Sequence, residues 1–324
     1  KPVITGTFTR SVFQVMYELL ATVRGSAAAL REKPLAIFDC CPSPPLKWSN
    51  LTCQALIDCA RAGIPAEFVS MPLTGSTAPV TLSGALVQHT AETLSGVVIA
   101  QLAAPGAPLI YGGSPVAMDL RTGTTPMGAV ETMMIECGYA QIGKYFNMPT
   151  HAYMTITDAK VLDAQSGLEA GMSATLAALT GINVISGPGM MDFENCISFE
   201  KLVIDHEICA MAKRLVRGVQ ARGERLAEDL YGDIDSGEHF LTSDTTIRFL
   251  RDEFAVPSDV IDRDPYQVRQ AKGEWTIGER AHRRVLELLQ THTPAPLEQA
   301  VQDELYRIMQ ADAINHGMDR LPEL

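Results

Sequence analysis

Side chains able to do chemistry concentrate in the segments that directly follow short apolar runs. Asp39-Cys40-Cys41 leads toward Trp48, and Leu73-Thr74-Gly75-Ser76-Thr77 leads into Ala78-Pro79-Val80-Thr81. Tyr111-Gly112-Gly113 is followed by Asp119, Tyr153 by Thr157-Asp158-Ala159-Lys160, and Gly187-Pro188-Gly189 by Met190. These residue types share one competence. Carboxylates (Asp119, Asp158, Asp192, Glu194) and aromatic faces (Trp48, Tyr111, Tyr153, Phe193) hold a cation through charge and ring quadrupole. Thr74 and Thr77 offer hydroxyls, while Gly112 and Gly189 let backbone approach a ligand closely. Asp158, Lys160 and Asp119 are therefore the candidate catalytic or orienting charges. Trp48, Thr74, Thr77, Tyr111, Gly112, Tyr153, Gly189 and Met190 are the candidate substrate contacts.

Each of these has a plainer reading that the sequence leaves open. Asp158 and Asp163 suit helix N-caps, where a short carboxylate accepts from free amides. Lys160 suits a solvated loop, Tyr111 and Tyr153 suit aromatic core packing, and Met190-Met191 suits adaptable core filling. The adjacent Cys40-Cys41 lacks CxxC spacing and a His-rich partner, so no metal site is expected. His206 reads as a helix residue, and His151 lies at the start of a strand candidate rather than at its catalytic end.

The elements that must position these residues follow a βα alternation through the first two hundred positions. Strands are expected over 2–7, 34–40, 66–73, 108–112, 151–157 and 181–186, and helices over 11–32, 50–62, 82–104, 125–145, 163–179 and 199–217. Apolar strands separated by helices imply a parallel sheet covered by helices. An open dinucleotide-binding sheet would need GxGxxG after an early strand, and none is present. The remaining choice is an α/β chain with a (β/α)8 TIM-type barrel, in which every strand end carries a functional loop. Such a barrel closes with eight strands, whereas about six βα units are legible. The N-terminal strands are expected upstream of Lys1, unless further strands lie in the C-terminal third.

From about residue 214 the texture becomes charged and helix-rich, with helices expected over 222–229, 245–254, 279–290 and 297–313. The chain thus reads as barrel units over 1–213 and a C-terminal helical region over 214–324 packed on the barrel. A net charge of −12 repels phosphate backbones and anionic membrane faces, which argues against a nucleic-acid partner. Seven scattered cysteines form no disulfide framework, so a reducing cytoplasm is the expected compartment. No apolar run reaches the roughly 18 residues of a membrane span, and no signal-peptide pattern is seen. Apolar helices outside the barrel lead us to expect a homo-oligomer.

Several of these segments, in order, resemble the trimethylamine methyltransferase family. They are Met71-Pro72-Leu73-Thr74-Gly75-Ser76-Thr77-Ala78-Pro79-Val80-Thr81, Tyr111-Gly112-Gly113, Thr157-Asp158-Ala159-Lys160, Asp163-Ala164-Gln165-Ser166-Gly167, and Leu202-Val203-Ile204-Asp205 with Glu207. The resemblance implies a methyltransferase that hands a methyl group from a small quaternary or tertiary amine, such as a betaine, to the Co(I) of a separate corrinoid protein. No cofactor is then expected to be tightly bound, because cobalamin arrives with the partner. Members acting on trimethylamine carry pyrrolysine, which the resemblance places at or beside Lys160. An ordinary residue stands here, and that points to the branch resembling glycine betaine methyltransferase. On this reading Asp158 and Asp119 orient the substrate, Trp48 and Tyr111 contact it with their rings, and Lys160 pairs with a betaine carboxylate.

Two other functions fit part of the pattern. A barrel lyase using Lys160 as a Schiff base accounts for one lysine at a strand end but leaves the Thr74–Thr77 turn without a role. A non-catalytic methylamine- or betaine-binding relative accounts for the cation-holding residues without turnover.

Overall fold

In Ala36–Cys40 every second residue is buried: Ala36, Phe38 and Cys40 face one way, and Ile37 and Asp39 the other, the period of a pleated strand. This strand belongs to a computed structural model that describes residues 2–7, 9, 11–223, 226, 228–231 and 239–322. Its parallel neighbours are Val3–Thr5 on one side and Ala66–Phe68 on the other, and Ala66–Phe68 pairs in turn with Leu109–Ile110. The ladder continues where Tyr111 bridges Thr150, and it ends with His151–Ala152 against Val184–Ile185. These strands follow one another in chain order, with Leu73–Thr74 set apart in its own parallel pair with Val116–Ala117. That order differs from an open doubly wound sheet, whose strand order reverses at a switch point.

One face of the sheet is apolar and covered by helices. Phe38, Phe68 and Leu56 are fully buried in a cluster with Phe13, Leu30, Cys59 and Ala100, drawn from the helices Val12–Arg24, Ala27–Glu32, Asn50–Ala62 and Leu82–Ala103 and the strands beneath them. Burying each large side chain of this kind contributes roughly 1.5–3 kcal/mol. Helix Asn50–Ala62 presents Ala55, Leu56, Cys59 and Ala60, one stripe of a 3.6-residue period, and Ser49 Oγ caps it by accepting from Thr52 N at 3.0 Å.

Contacts divide the chain into two compact units: residues 1–154, 180–187 and 292–324 form one, and residues 155–179 and 188–291 the other. The sheet lies in the first, where helix Gln299–Asn315 also packs on Val12–Arg24. In the second, helices Phe199–Arg217 and Ile277–Thr291 pack together, with Ala170, Ala174, Ile204, Ile208, Val260 and Ala281 at the core.

Several expected elements need correction. The helix expected over 11–32 is broken at Gly25, whose φ of 93° ends the first helix before Ser26 caps the second. The strand expected over 66–73 splits into Ala66–Phe68 and Leu73–Thr74. The strand expected over 151–157 stops at Ala152, because Thr155 adopts φ 67°, outside any strand conformation. The helix expected over 125–145 starts only at Val130. An antiparallel pair, Met190–Met191 with Cys196–Ile197, and a helix at Tyr266–Ala271 were not anticipated. The helix expected over 222–229 lies partly outside the described residues; a short one occupies Glu228–Tyr231.

Candidate functional site

On the second face of the sheet the apolar pattern gives way to polar side chains. Asp39 and Glu67 are direct register partners on adjacent strands. Glu67 Oε1 lies 2.5 Å from His151 Nδ1, with both side chains fully buried. His151 Nε2 lies 2.7 Å from Ser186 Oγ, just past strand Val184–Ile185. Four strands thus contribute Asp39, Glu67, His151 and Ser186 to one row. Between Glu67 and His151 the intervening strand sets Ile110 opposite Glu67 and is followed by Gly112. A Cβ there would sit 2.9 Å from Phe68 O and 3.1 Å from both Glu67 Cγ and His151 Nδ1, so the missing side chain is what lets carboxylate and imidazole meet.

The backbone at this point is gripped from behind. His89 Nε2 bonds Gly112 O at 3.1 Å, and Tyr139 Oη donates to Gly113 O at 3.0 Å and to His151 O at 2.8 Å. The His89 and Tyr139 rings stack at 4.4 Å. Complete burial pushes His89 down to about 4, so the ring is neutral near pH 7 and its Nε2–H donates to the carbonyl. Asp39 is pushed up to about 7, first by burial and then by the Glu67 carboxylate. Loop segments are tied to the same region by Glu92, which accepts from Ser70 Oγ, from Leu46 N at 2.9 Å and from Gln88 Nε2 at 3.0 Å.

Of the residues singled out by sequence, Gly112 and Tyr153 belong to this row, the Tyr153 ring meeting His151 edge-on at 4.9 Å. Tyr111 faces the helices instead: it is fully buried, and its hydroxyl donates to Thr90 Oγ1 at 3.2 Å. Trp48 packs edge-on against Phe68 and donates from Nε1 to Ser95 Oγ at 2.9 Å. Thr77 Oγ1 accepts from Leu73 N at 2.9 Å and closes its turn, while Thr74 is buried beside it. Asp119 is held by Arg121 at 2.8 Å, and that guanidinium keeps its carboxyl down to about 2.

Asp158, Lys160, Gly189 and Met190 lie in the second compact unit. Lys160 Nζ sits 3.8 Å above the Phe193 ring, 3.3 Å from Asp192 and 2.7 Å from the Asp158 carbonyl. Asp158 is buried, and its amide donates to Glu169 Oε2 at 2.8 Å. Gly189 N donates to Asp205 Oδ2 at 2.7 Å, and Met190 pairs with Ile197 in the hairpin. Asp192, Phe193 and Glu194 all adopt left-handed backbone, with φ of 51°, 58° and 72°, which side-chain-bearing residues rarely do in succession. Asp163 caps helix Ala164–Thr180 as its plainer reading has it, accepting from Gln165 N and Ser166 N.

Asp39 stood in a segment marked for chemistry without being assigned a role, and Glu67, His151 and Ser186 escaped the sequence reading. His151 in particular, set aside as a residue at the start of its strand, lies at the centre of the row because that strand is only two residues long. The available signal was a charged or ionisable residue inside an otherwise apolar strand: Asp39 in Ala-Ile-Phe-Asp-Cys and Glu67 in Ala-Glu-Phe. Among the described residues no group of three or more His, Cys, Asp or Glu is arranged to hold a metal ion. Among them also, no helix is long and apolar enough to cross a membrane.

A sequence profile of the family described as Trimethylamine methyltransferase (MTTB) matches residues 1–312. The chain is 32% identical over 308 residues to a trimethylamine methyltransferase of Desulfitobacterium hafniense, covering 95% of this chain and 62% of the relative. It is 36% identical over 295 residues to a trimethylamine methyltransferase of Methanosarcina barkeri, covering 91% and 59%. It is 31% identical over 289 residues to a glycine betaine methyltransferase of Desulfitobacterium hafniense, covering 89% and 60%. The chain therefore spans about six tenths of the length of these curated relatives.

Proposed function

Because this chain belongs to the trimethylamine methyltransferase family, we propose that it takes a methyl group from a small quaternary or tertiary amine and passes it to the cobalt of a corrinoid on a separate protein. The observation that carries this reading is the family match across nearly the whole chain, with relatives named for both trimethylamine and glycine betaine. We take the six chain-ordered parallel strands as an arc of a (β/α)8 barrel, since this fold places functional residues at strand ends.

The polar row suits such a donor. A methylated ammonium is a bulky cation without strong hydrogen-bond donors, so it is held by negative charge and by space. Asp39 and Glu67 supply the charge, and Tyr153 an aromatic face beside His151. Asp39 and Ser186 are half-buried rather than sealed, which suits a methyl acceptor that arrives on another protein. The corrinoid would supply the nucleophile that receives the methyl group. This chain's residues would bind the amine, strip it of water and orient the C–N bond. A quaternary nitrogen leaves as a neutral amine, so the displacement calls for no general acid.

The test is methylcobalamin formation from free Co(I) cobalamin with glycine betaine, carnitine and trimethylamine as donors. Turnover with at least one donor is the expected result. Calorimetric binding of a donor without methylcobalamin would favour a non-catalytic relative, and neither binding nor turnover would sink the reading. Borohydride trapping with a carbonyl substrate, expected to leave Lys160 unmodified, addresses the Schiff-base alternative.

A further inference from the structure

The displacement proposed above asks for no proton transfer, yet the row contains a complete arrangement for one. We infer that Glu67, His151 and Ser186 form an acyl-transfer triad, with Ser186 Oγ as the nucleophile toward small esters.

The geometry has the two contacts that link the members of such a triad. Glu67 Oε1 lies 2.5 Å from His151 Nδ1, which sets the carboxylate against that side of the ring. The opposite nitrogen, Nε2, faces the Ser186 hydroxyl at 2.7 Å, the distance at which an imidazole can take a serine proton. Carboxylate and imidazole are both fully buried, so the pair is shielded from competing water, whereas Ser186 at the strand end is half-buried and open to a reactant. Such constellations are recognised by geometry and role rather than by chain order.

The residue after the hydroxyl completes the arrangement. Gly187 lies in the same compact unit, and among the described residues nothing accepts from its amide. An N–H immediately following the nucleophile is where a nucleophile elbow places an oxyanion donor. Gly112 supports the same assignment, because any side chain there would crowd both the Glu67 stem and His151 Nδ1.

In the first step Ser186 Oγ bonds to the ester carbonyl carbon as its proton passes to His151 Nε2, and the carbonyl π pair moves onto oxygen. Collapse restores the C=O bond and breaks the bond to the leaving oxygen, which takes the proton from Nε2. Water then repeats the sequence on the acyl-serine, releasing a carboxylic acid and the free hydroxyl. The net change is ester plus water to acid plus alcohol. With Asp39 beside Glu67 in the row, the favoured substrate class is a small ester carrying a quaternary ammonium group.

The experiment is to incubate the full chain with a fluorophosphonate probe and locate the adduct by tandem mass spectrometry. Modification at Ser186 is expected, lost in Ser186→Ala and slowed by roughly 10²-fold or more in His151→Gln. Acetylthiocholine should be cleaved faster than its uncharged analogue S-butyl thioacetate. An unlabelled wild-type protein, or labelling that survives Ser186→Ala, would overturn the triad; equal thioester rates would overturn the preference for a cation. The wild-type measurement needs no variant to fold. It also uses no methyl donor, so its failure leaves the methyl-transfer reading to be decided by methylcobalamin formation.

Discussion

Glu67 Oε1 and His151 Nδ1 lie 2.5 Å apart although a third strand runs between the strands that carry them. Gly112 is the reason. Its φ is not in the left-handed region, so the demand for glycine here is one of space alone. Gly112→Ala should destabilise the protein by about 1–3 kcal/mol, the usual cost of overpacking a tight interior. It should also shift the His151 ring resonances as Glu67 is pushed aside. Denaturant unfolding and NMR of the imidazole check both, and an alanine variant with unchanged stability and resonances would remove Gly112 from the argument.

Burial gives the protein opposing pH dependences. Asp39 and Glu194 are both pushed up to about 7, in each case chiefly by burial. A raised folded-state value means the native protein binds the proton more tightly. Their contribution is therefore complete below the ordinary carboxylate range and is lost as pH rises toward and through about 7. His89, lowered to about 4 from 6.5, acts the other way: its contribution is present above 6.5 and is lost as pH falls through about 4. Thermal melts from pH 4 to 8 should show Asp39→Asn gaining stability relative to wild type at the alkaline end. A parallel pair of pH profiles would rule out this account of Asp39.

The same carboxyl should govern donor binding. If Asp39 faces the methylated ammonium, affinity should improve as pH rises from 6 to 8 and the group ionises. In Asp39→Asn that pH dependence should flatten and KM should rise by roughly ten-fold, as expected for a lost charge of about 1.4 kcal/mol. Steady-state kinetics across this range, with kcat separated from KM, decides it. An unchanged KM profile would place the cation elsewhere.

How much was legible in the sequence follows from what each element depends on. Asn50–Ala62 and Phe199–Arg217 match their expected bounds because cap, apolar stripe and terminating glycine all lie within the segment. All six expected strands exist, since β-branched and apolar runs between helices leave little alternative. The strand after residue 151 was overextended because the turn at Thr155 is imposed from outside: Ser173 Oγ accepts from its amide and Lys201 Nζ donates to its carbonyl. No local propensity encodes those partners. The polar row was hidden for a related reason. Glu67, His151 and Ser186 are far apart in sequence and meet only through strand register and the gap at Gly112. By contrast, Gly112 and Tyr153 were found because close approach and aromatic character are visible in a single residue.

Lys201 and Asp205 form a buried ion pair one helical turn apart, 2.5 Å between Nζ and Oδ2. Burial opposes both charges, lowering Lys201 and raising Asp205 from their ordinary values, while their mutual attraction works against both shifts. Asp205 Oδ2 also accepts from Gly189 N at 2.7 Å, so the pair anchors the turn ahead of the Met190–Met191 strand. Lys201→Met leaves the carboxylate uncompensated and should cost roughly 3–5 kcal/mol. Lys201→Met/Asp205→Leu removes the stranded charge but orphans the Gly189 amide, so about 1–3 kcal/mol should remain lost. Lys201→Met/Asp205→Asn keeps an uncharged acceptor for that amide and should recover most of the stability. The order of the three variants in urea unfolding is the test. If the single substitution is no worse than either double, the pair is not what holds this turn.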